Sequence, residues 1–575
     1  MKPEPLPIDA VLPDLRAALR AHAGVVLQAP PGAGKTTRVP LALLGEPWLA
    51  GQRLVMLEPR RLAARAAARR MAHTLGERVG QTVGYRVRMD TRVGDRTRVE
   101  VVTEGVLTRM LQEDASLAGV GAVVFDEYHE RSLHADLGLA LCLEAQAVLR
   151  PDLKLLVMSA TLAGERVARL LGGAPVIASE GRLHPVETHY LDHRPEDRPE
   201  AVAVRAVRQA LAETEGDVLV FLPGAGEIRR AGERLREGGV PAGTDVAPLH
   251  GRLPLAEQDR AIAPAPPGRR KVVLSTDIAE TSLTIEGIRT VVDSGWMRVP
   301  RFDPGSGMTR LATIRVSAAS AEQRRGRAGR LGPGACYRLW TRHTQHHLHP
   351  FSPAEILHAD LAPLALELAR WGTPDPGRLR WLDPPPAAAY AQARDLLRAL
   401  GALGADGGIT RHGRHMAALP VHPRLAHMIL RARPYGLAGT ACDLAALLTE
   451  RDVLRGRDGA PEADLRLRLE VLRHVRAGRR GEPPSAFGQD VDRRAVRRVL
   501  KVADHWRRRF GGQEPLDAEA AGVLTAFAYP DRLAQRRAGT AGRFRLRNGR
   551  AAVFEGPQLL SEAPFVVAAH HDGPR

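Results

Sequence analysis

The stretch GVVLQAPPGAGKTTRVPLALL, residues 24–44, decides the fold. It contains an apolar run typical of a buried strand, then a glycine-rich turn, then a helical segment. Such a turn lets backbone N–H groups approach phosphate groups, and the helix N-terminus adds positive potential. The alternative is a glycine-rich turn without a ligand. Because strand, GKT and helix are in register, we predict a phosphate-binding loop, with Ala29 standing where the general pattern has glycine.

The lysine and the threonine of GKT carry the predicted chemistry of this loop. Lys35 would reach the β- and γ-phosphates of a nucleotide, and the Thr36 hydroxyl would ligate Mg²⁺. The neighbouring backbone would approach the same phosphates. The residues predicted to bind the nucleotide here are Gly32, Ala33, Gly34, Lys35, Thr36 and Thr37.

Outward from this loop, apolar runs alternate with amphipathic helical segments twice over. This alternation is typical of stacked α/β layers with buried parallel strands. A charged stretch without periodicity, residues 191–200, separates the two halves. We therefore predict two α/β units of similar size with a cleft between them. The predicted strands are GVVLQAP (24–30), RLVMLEP (53–59), GAVVFDE (121–127) and LKLLVMSAT (153–161), then DVLVFLPG (217–224), RKVVLSTDI (270–278) and RTVVDSG (289–295).

After about residue 345 the sequence becomes rich in helical periodicity. The segment DGGIT, residues 406–410, is predicted to turn into a short strand within a small unit resembling a winged helix. Residues 421–535 follow a mostly helical pattern, and the tail from 542 alternates as strands do. A small barrel usually needs about five strands, so we expect the chain to be cut short or to depend on another element. The predicted domains are 1–192, 196–345, 346–420, 421–535 and 536–575.

The composition is that of a basic globular protein. Of 575 residues, 44% are hydrophobic and 26% charged, which excludes wholesale disorder. No apolar run approaches the ~18–20 residues of a membrane helix, so we expect a soluble, cytoplasmic protein. The net charge of +18 favours a polyanion as partner. Nearly all of this charge is arginine, which codon composition and selection for phosphate contacts explain equally well. The widely spaced Cys142, Cys336 and Cys442 fit a reducing compartment.

Two adjacent carboxylates follow the apolar run at residues 121–125. Burying such a pair is costly unless a cation or a reaction needs it. Asp126 is predicted to hold Mg²⁺ through water. Glu127, which belongs to the same metal site, would orient and activate an attacking water. The alternative, a solvated acidic turn, is disfavoured by the phosphate-binding loop upstream in the same α/β unit.

The segment QRRGRAGR, residues 323–330, places two arginines on one face of a predicted helix. Arg327 and Arg330, presented from the second α/β unit to a γ-phosphate, would act as fingers that stabilise the charge of the transition state. A generic basic surface helix is the alternative. The glycines at 326 and 329 disfavour it, because glycine costs about 1 kcal/mol in a helix and suggests a close approach to another group.

With five further motifs, these segments resemble the ordered motifs of superfamily 2 DEAH-box helicases, in particular those of the bacterial HrpB-type branch. The further motifs are EPRR (58–61), TEGVL (103–107), SAT (159–161), FLPG (221–224) and STDIAETSLTIEG (275–287). The resemblance covers residues from about 8 to the end. It implies two tandem RecA-like P-loop domains with ATP and Mg²⁺ between them, followed by winged-helix, helical-bundle and partial OB-like domains.

The resemblance also implies which residues complete the γ-phosphate site. Gln323, Arg327 and Arg330 would act there as catalytic residues beside the acidic pair of the first domain. Glu286 matches an acidic position that contacts the ribose. Tyr128 stands where the family name has alanine, and an aromatic residue there fits the HrpB-type branch.

Further positions match residues that couple hydrolysis to movement along nucleic acid. The coupling residues implied in this way are His129, which would help to join the two domains, and Ser159 and Thr161. The positions that match backbone contacts to nucleic acid are Arg60, Thr103 and Thr276. Residues 295–316 resemble the β-hairpin that separates strands in this family.

These observations together favour an ATP-dependent helicase that moves along one strand of nucleic acid. The family implies a 3′-to-5′ direction. We expect a single strand or tailed duplex as substrate, with RNA favoured over DNA, and a monomer. One alternative is a nucleic-acid-stimulated ATPase switch that remodels ribonucleoprotein without processive unwinding. Another is a basic binding protein with a vestigial ATP site, against which the intact Lys35, Asp126 and Glu127 speak.

Overall fold

The computed structural model describes residues 5–30, 32–160, 164–180, 184–251, 253–280, 285–303, 307–455, 462–478, 490–547, 549–554 and 556–570. These residues form two units. The larger unit consists of the described residues within Met1–Phe302, Thr309–Ala359 and Pro376–Pro386. The smaller unit consists of those within Asp303–Met308, Asp360–Asp375 and Ala387–Arg575.

The first half of the larger unit is built around an eight-stranded sheet. Its strands are β1 (Gly24–Gln28), β2 (Arg53–Glu58), β3 (Val83–Val87), β4 (Asp90–Arg92), β5 (Val99–Thr103), β6 (Val120–Phe125), β7 (Lys154–Ser159) and β8 (Val176–Ala178). The spatial order is β4-β3-β5-β2-β6-β7-β1-β8, and only β3 and β4 run antiparallel. Every residue of β6 is buried, as expected for a strand that is covered on both faces.

Helices cover this first sheet. They are α1 (Leu12–Ala21), α2 (Lys35–Leu43), α3 (Arg61–Thr74), α4 (Glu104–Glu113), α5 (Leu133–Val148) and α6 (Gly164–Leu170). Helix α3 buries a stripe of alanines and Met71, because small apolar residues recur at helical spacing along one face. That stripe holds the helix close to β3 and β5.

The second half of the larger unit contains a six-stranded parallel sheet and a two-stranded hairpin. The strands are β9 (Val186–Tyr190), β10 (Asp217–Phe221), β11 (Thr244–Leu249), β12 (Arg270–Ser275), β13 (Ile288–Asp293), β14 (Trp296–Asp303), β15 (Met308–Arg315) and β16 (Gly334–Arg338). The sheet order is β11-β12-β10-β13-β16-β9, and β14 pairs with β15. The helices are α7 (Pro199–Glu213), α8 (Ala225–Glu237), α9 (Leu255–Ile262), α10 (Ala318–Gly326) and α11 (Arg342–His346).

Alternate residues of the central strand β10 enter two separate hydrophobic clusters. Val218 and Val220 belong to one cluster, and Leu219 and Phe221 belong to the other. Successive strand side chains point to opposite faces, so both faces of the sheet are buried. Two tandem RecA-like domains with parallel sheets confirm the predicted α/β class.

The division between the two sheets differs from the predicted boundary. Strand β9 pairs with β16, with Val186 opposite Gly334, so the second sheet begins before residue 192, where the predicted first domain ends. The strand lies at the sheet edge and its residues are partly or fully exposed. It therefore lacks the continuous apolar run by which the other strands are recognised. The remaining boundaries stay predictions.

Before its tail, the smaller unit is mostly helical. Its helices are α12 (Ala362–Trp371), α13 (Ala387–Ala399), α14 (Arg411–Ala417), α15 (Pro423–Ala432), α16 (Ala438–Thr449), α17 (Leu465–Arg476), α18 (Arg493–Phe510) and α19 (Ala521–Ala528). An isolated antiparallel bridge joins Leu403 to Ile409, so the segment DGGIT contains the short extended stretch that the sequence predicts.

The tail of the smaller unit forms an antiparallel sheet. The strands of this unit are β17 (Leu454–Arg455), β18 (Asp490–Val491), β19 (Leu533–Arg536), β20 (Arg543–Leu546), β21 (Ala551–Val553) and β22 (Phe565–Val567). The last four pair in the order β21-β20-β19-β22 around the buried Phe544, and β17 pairs with β18. The tail sheet begins at Leu533, slightly before the predicted start at 536.

Two further properties of the described chain are the state of its cysteines and the apolar character of its helices. Cys142, Cys336 and Cys442 are all buried with free thiols, and the first two lie one in each half of the larger unit. No helix in the described ranges combines the length and the apolar character that a bilayer crossing requires.

Candidate active site

The phosphate-binding loop joins the carboxyl end of β1 to the start of α2. Gly32 and Gly34 have φ angles of 89° and 94°, in the left-handed region that favours glycine. A Cβ atom at Gly34 would also lie 2.6 Å from Cδ1 of Leu6. Ala33 is buried, and its carbonyl accepts a hydrogen bond from the Ile8 N–H (3.1 Å). These features fix the conformation of the loop at the positive N-terminal end of α2.

The loop and the end of β6 bring four predicted side chains together. The Lys35 ammonium donates to Oε1 of Glu127 (2.8 Å) and lies 3.9 Å from Oδ1 of Asp126. The Thr36 hydroxyl donates to Oδ2 of Asp126 (2.5 Å). Thr37 continues the first turn of α2, its N–H donating to the Gly34 carbonyl (3.2 Å). The predicted lysine, hydroxyl and acidic pair therefore form one buried cluster.

The charges of this cluster stabilise one another. Burial disfavours the ionised form of Glu127, but the neighbouring Lys35 outweighs it and lowers the pKa of that carboxyl to about 2. Burial likewise disfavours the charged ammonium, yet Glu127 and Asp126 raise the pKa of Lys35. Lysine and glutamate are therefore a buried ion pair at neutral pH, whose attraction is stronger than it would be in water.

The backbone turns sharply after Asp126. Glu127 has φ 50° and Arg131 has φ 51°, an uncommon conformation for residues other than glycine. A single 3₁₀ turn, Tyr128–Glu130, lies between them. The Glu127 N–H donates to Oδ1 of Asp126 (2.8 Å). This turn lets two successive carboxylates contact the same lysine.

A third carboxyl group, which the sequence analysis missed, lies in the same cluster. Glu58 ends β2 and is 1% exposed. Burial, together with the nearby Asp126 and Glu127, raises the pKa of Glu58 well above its usual value. The signal was present in the sequence, because Glu58 follows an apolar strand just as Asp126 does.

The arginines of the second domain approach this cluster from α10 and the turn after it. Arg327 is 3% exposed, and its Nε donates to the Glu280 carbonyl (3.1 Å). A Cβ atom at Gly32 would lie 3.4 Å from Nε of Arg330, so Arg330 reaches the phosphate-binding loop. Burial lowers the pKa of Arg330 to about 10 and also lowers that of Arg327, while Glu127 opposes both shifts.

A neighbouring arginine fixes this part of the second domain. Arg324, which was not among the predicted site residues, is 1% exposed. Its Nε donates to Oε2 of Glu280 (2.8 Å) and its Nη1 to Oδ1 of Asp293 (2.9 Å). Glu280 thus holds Arg324 through its carboxylate and Arg327 through its carbonyl. Removing one partner of such a buried network typically lowers the free energy of unfolding by about 3–5 kcal/mol. Because Arg324 and Arg327 both bind Glu280, Arg324 positions Arg327.

Several buried polar atoms around this cleft are left without a hydrogen-bond partner among the described residues. They are Glu127 Oε2, His129 Nε2, Gln323 Nε2 and Arg330 Nε. Buried polar groups are normally paired, so orphaned atoms on both sides of the cleft fit a polar ligand. The cationic donors suit a polyphosphate. The hydroxyl of Thr36 and the carboxylate of Asp126 are oxygen ligands of the kind that Mg²⁺ prefers.

His129 connects the acidic turn to the end of β7. Its Nδ1 accepts a hydrogen bond from the Ala160 N–H (3.2 Å), and Ser159, the residue before, is buried. The Ser159 carbonyl accepts from the Ala29 N–H (3.0 Å), which ties the SAT segment to the phosphate-binding loop. The contact of His129 with Ala160 lies within the first domain. Thr161 lies outside the described residues.

The buried His129 should make stability depend on pH. Burial lowers the pKa of its imidazole to about 4, whereas an unfolded histidine titrates near 6.5. Between these values the unfolded chain binds more protons, so the free energy of unfolding should fall as the pH falls from 6.5 to 4, by up to about 1.4 kcal/mol per pH unit. Urea unfolding at several pH values should show a shallower decrease for His129→Asn than for wild type.

A matched control for this variant is His73→Asn, which changes an exposed histidine at the end of α3. Its pH dependence should follow that of wild type. Parallel curves for wild type and His129→Asn would contradict the predicted contribution of the buried imidazole.

The positions predicted to contact the nucleic-acid backbone follow the carboxyl ends of three strands. Arg60 comes after β2, Thr103 ends β5 and Thr276 comes after β12. All three are half-buried. The Arg60 guanidinium donates to the carbonyl of Asp277 (3.1 Å) and lies 3.5 Å from Oε2 of Glu130. Arg60 therefore bridges the two domains in this structure.

Glu286 lies apart from the cluster around Lys35. It is exposed just before β13, and its charge acts on Lys271 near the amino end of β12. Arg327, by contrast, contacts Glu280 beyond the carboxyl end of the same strand. The predicted ribose contact of Glu286 stays a prediction.

Comparison with known proteins agrees with this arrangement. Three family models match: "DEAD/DEAH box helicase" over residues 13–170, "Helicase conserved C-terminal domain" over 202–332 and "Helicase associated domain (HA2), winged-helix" over 393–421. A crystal structure of the Escherichia coli DEAH/RHA helicase HrpB matches with 45% identity and a TM-score of 0.84, over 98% of this chain and 68% of that one. The chain belongs to the DEAH-box helicases, in the HrpB-type branch.

Two further relatives show the extent of the similarity. The protein named "ATP-dependent RNA helicase HrpB" of E. coli strain K12 is 47% identical over 98% of this chain and 66% of its own length. The "Pre-mRNA-splicing factor ATP-dependent RNA helicase prp22" of Schizosaccharomyces pombe is 36% identical over 80% of this chain and 40% of its own. The chain thus spans just under two thirds of the E. coli relative.

The DEAH-box position that departs from the family name has a structural role. The Tyr128 hydroxyl donates to Oδ1 of Asp136 (2.7 Å). Arg131 pairs with the same carboxylate (2.9 Å) and with Asp383 (2.7 Å). Tyr128 therefore anchors the acidic turn to α5, whereas the carboxylates of the same turn contact Lys35.

Proposed function

We propose that this chain is an ATP-dependent nucleic-acid helicase that couples Mg-ATP hydrolysis to movement along one strand. We further propose that it acts as a monomer on RNA, in the 3′-to-5′ direction, and unwinds duplexes as it moves. The E. coli and S. pombe relatives are both named ATP-dependent RNA helicases, which supports RNA as the substrate. The net charge of +18 supports a polyanionic partner.

One observation carries the proposal. Lys35, Thr36, Asp126 and Glu127 form a buried cluster in the first domain, and the second domain presents buried arginines toward it. Orphaned polar atoms on both sides of the cleft fit a polyphosphate between the domains. A site that is completed only when two domains meet can couple its chemistry to their relative movement.

Binding of ATP would rearrange the partners of Lys35. The ammonium now pairs with Glu127, and the phosphate oxygens of ATP would compete for it. The carboxylate of Glu127 would then be available to an attacking water. Thr36 and, through water, Asp126 would hold Mg²⁺, which neutralises charge on the β- and γ-phosphates.

Hydrolysis would proceed by in-line attack of that water on the γ-phosphorus. Glu127 and Gln323 would orient the water, and Arg327 and Arg330 would stabilise charge on the transferred phosphoryl group. Loss of phosphate removes the ligand that the arginines share with Lys35, so the cleft would relax. Backbone contacts near Arg60, Thr103 and Thr276 would then shift the strand, with little sequence preference.

Steady-state ATP hydrolysis without polymer, with single-stranded RNA and with single-stranded DNA tests this proposal. We expect strong stimulation by RNA that weakens as salt increases. Duplexes with a 3′ tail should be separated, and those with a 5′ tail should not. Stimulated hydrolysis without displacement of either duplex would instead support the ATPase switch. Absence of hydrolysis under every condition would overturn the proposal.

The Lys35→Ala variant should hydrolyse ATP about 10²–10³-fold more slowly, the typical effect of removing one donor that stabilises transition-state charge. Its ATP affinity should fall as well, because the cation also contacts the bound phosphates. Stopped-assay turnover and titration with a fluorescent ATP analogue measure the two effects. Lys154→Ala is the matched control, since that partly exposed lysine donates to the His22 carbonyl. Unchanged turnover in Lys35→Ala would favour a binding protein with a vestigial site.

A further inference from the structure

A cavity of about 560 Å³ opens in the smaller unit. It lies between the end of α13 and helices α14, α15 and α19. Its polar and aromatic lining consists of His412, His427, Arg431 and Phe527, and we refer to it as the His–Phe pocket. The volume is within the range of about 300–1,000 Å³ that small-molecule sites occupy.

Phe527 in the lining of the His–Phe pocket stacks on Tyr435, which lies outside that lining. The rings of Phe527 and Tyr435 have centroids 6.0 Å apart and planes inclined by 28°. Tyr435 is 62% exposed, although aromatic side chains of this size are usually buried to a large extent. An exposed aromatic stack offers a π-face on which a nucleobase can lie, and this contact tolerates any base.

The pocket also holds a cation without a carboxylate partner. The Arg431 guanidinium lies 5.9 Å from the centre of the Phe527 ring, and the residue is exposed. No ion pair to Arg431 occurs within the part of the chain that the structure describes. The pocket is thus positively charged, which suits a phosphate group.

His412 and His427 form one edge of the pocket. His412 Nε2 and His427 Nδ1 lie 2.9 Å apart. Burial, together with His412 and Arg431, lowers the pKa of His427 to about 4, and burial also lowers that of His412. Both imidazoles are therefore neutral at pH 7, so each ring has one donor and one acceptor nitrogen. His427 also forms a hydrogen bond with the backbone of Leu400, so the second ring nitrogen of His412 is the group that can hydrogen-bond to a base or a sugar.

We propose that the His–Phe pocket holds one nucleotide of a single-stranded nucleic acid, with its base on the Phe527–Tyr435 stack and its phosphate on Arg431. This inference rests on the proposed function for the existence of a strand. It adds a contact in the smaller unit to the three backbone positions of the larger one. Aromatic stacking combined with a cationic surface is the usual composition of single-strand sites.

Fluorescence anisotropy of a labelled single-stranded RNA, measured without ATP at several salt concentrations, tests the pocket. Phe527→Ala should weaken binding by about 10-fold or more, as loss of one base–aromatic stack does. Phe527→Tyr should retain the affinity, because the ring is kept. Arg431→Ala should reduce the slope of log affinity against log salt by about 0.7, the value for one phosphate contact in a single strand.

Matched controls separate the pocket from general effects. Phe565→Ala removes an exposed aromatic from the tail sheet, and Arg229→Ala removes an exposed arginine from α8; both should bind as wild type does. Thermal unfolding of each variant verifies folding. A strand containing 4-thiouridine, irradiated on the wild-type protein, should crosslink to the peptide around Phe527, which supports the proposal without any substitution.

The outcomes distinguish this inference from the proposed function. If wild type binds the strand and both pocket variants bind within twofold of it with an unchanged salt slope, the pocket assignment is overturned and the proposed function stands. If wild type binds no strand at all, the proposed function fails and the pocket assignment fails with it. If calorimetry shows AMP binding that Phe527→Ala abolishes while strand affinity is unchanged, the pocket is a site for free nucleotide, and the assignment to a strand is overturned.

Discussion

The Arg327→Ala variant is expected to hydrolyse ATP about 10³–10⁵-fold more slowly than wild type at saturating ATP and RNA, the range found for arginine fingers. The guanidinium is buried and oriented by the Glu280 carbonyl (3.1 Å). Because its charge lies in a site from which water is largely excluded, its effect on the transition state should be large. Steady-state measurements of kcat and KM should place most of the loss in kcat.

Arg325→Ala is the control for this variant. Arg325 lies two residues before Arg327, near the end of α10, but it is partly exposed and pairs with Glu322 (2.7 Å). Its removal should leave turnover close to wild type. A turnover of Arg327→Ala within a few-fold of wild type, in a variant with an unchanged thermal unfolding midpoint, would show that the second domain does not supply the finger through this residue.

Glu127→Gln is expected to lower kcat by about 10²–10⁴-fold, the usual contribution of a positioned acid–base group. The amide keeps the shape of the side chain and an oxygen that can accept from Lys35. It cannot take the proton of the attacking water. Affinity for ATP should therefore change much less than kcat, and binding of a fluorescent analogue measures this difference.

Glu130→Gln provides the comparison for Glu127→Gln. Glu130 lies in the same turn, but its carboxylate faces Arg60 (3.5 Å) and not Lys35. Turnover of this control should stay near the wild-type value. Equal losses in the two variants would indicate that the turn as a whole, and not the Glu127 carboxylate, determines the rate.

The core of the site could be predicted from the sequence because local patterns determine it. Lys35 and Asp126 each follow an apolar run that is typical of a buried strand. Strands β1 and β6 are parallel members of one sheet, and the carboxyl ends of parallel strands meet at one edge. The contact between the two segments therefore follows from the strand–loop context of each motif, without knowledge of the order of the strands.

Contacts that depend on strand order could not be predicted in this way. Glu58 lies beside Asp126 because β2 and β6 are neighbours in the sheet, with Leu57 opposite Phe125. Nothing in either segment alone indicates that pairing. Arg324 is a similar case, since its partners Glu280 and Asp293 follow or end two different strands. Single-sequence patterns predict elements well, but side-chain networks between elements form only in the tertiary structure.

Arg60 contacts other partners than the sequence predicts. The family motif predicts a contact with the nucleic-acid backbone, whereas the guanidinium lies against Asp277 and Glu130. A long arginine side chain has several donors and can change partners at small cost. Arg60 contacts the opposite domain in this structure, and its contact with nucleic acid stays a prediction.

The three buried cysteines make this protein suitable for site-specific labelling. Burial raises the pKa of Cys336 and Cys442 to about 12 and that of Cys142 still higher. The reactive thiolate is therefore nearly absent at neutral pH, and maleimide dyes should leave the native chain unlabelled. A pair of cysteines introduced at exposed positions, one at Arg69 on α3 and one at Arg229 on α8, would then carry the only fluorophores. Energy transfer between them could follow opening of the cleft during single turnovers.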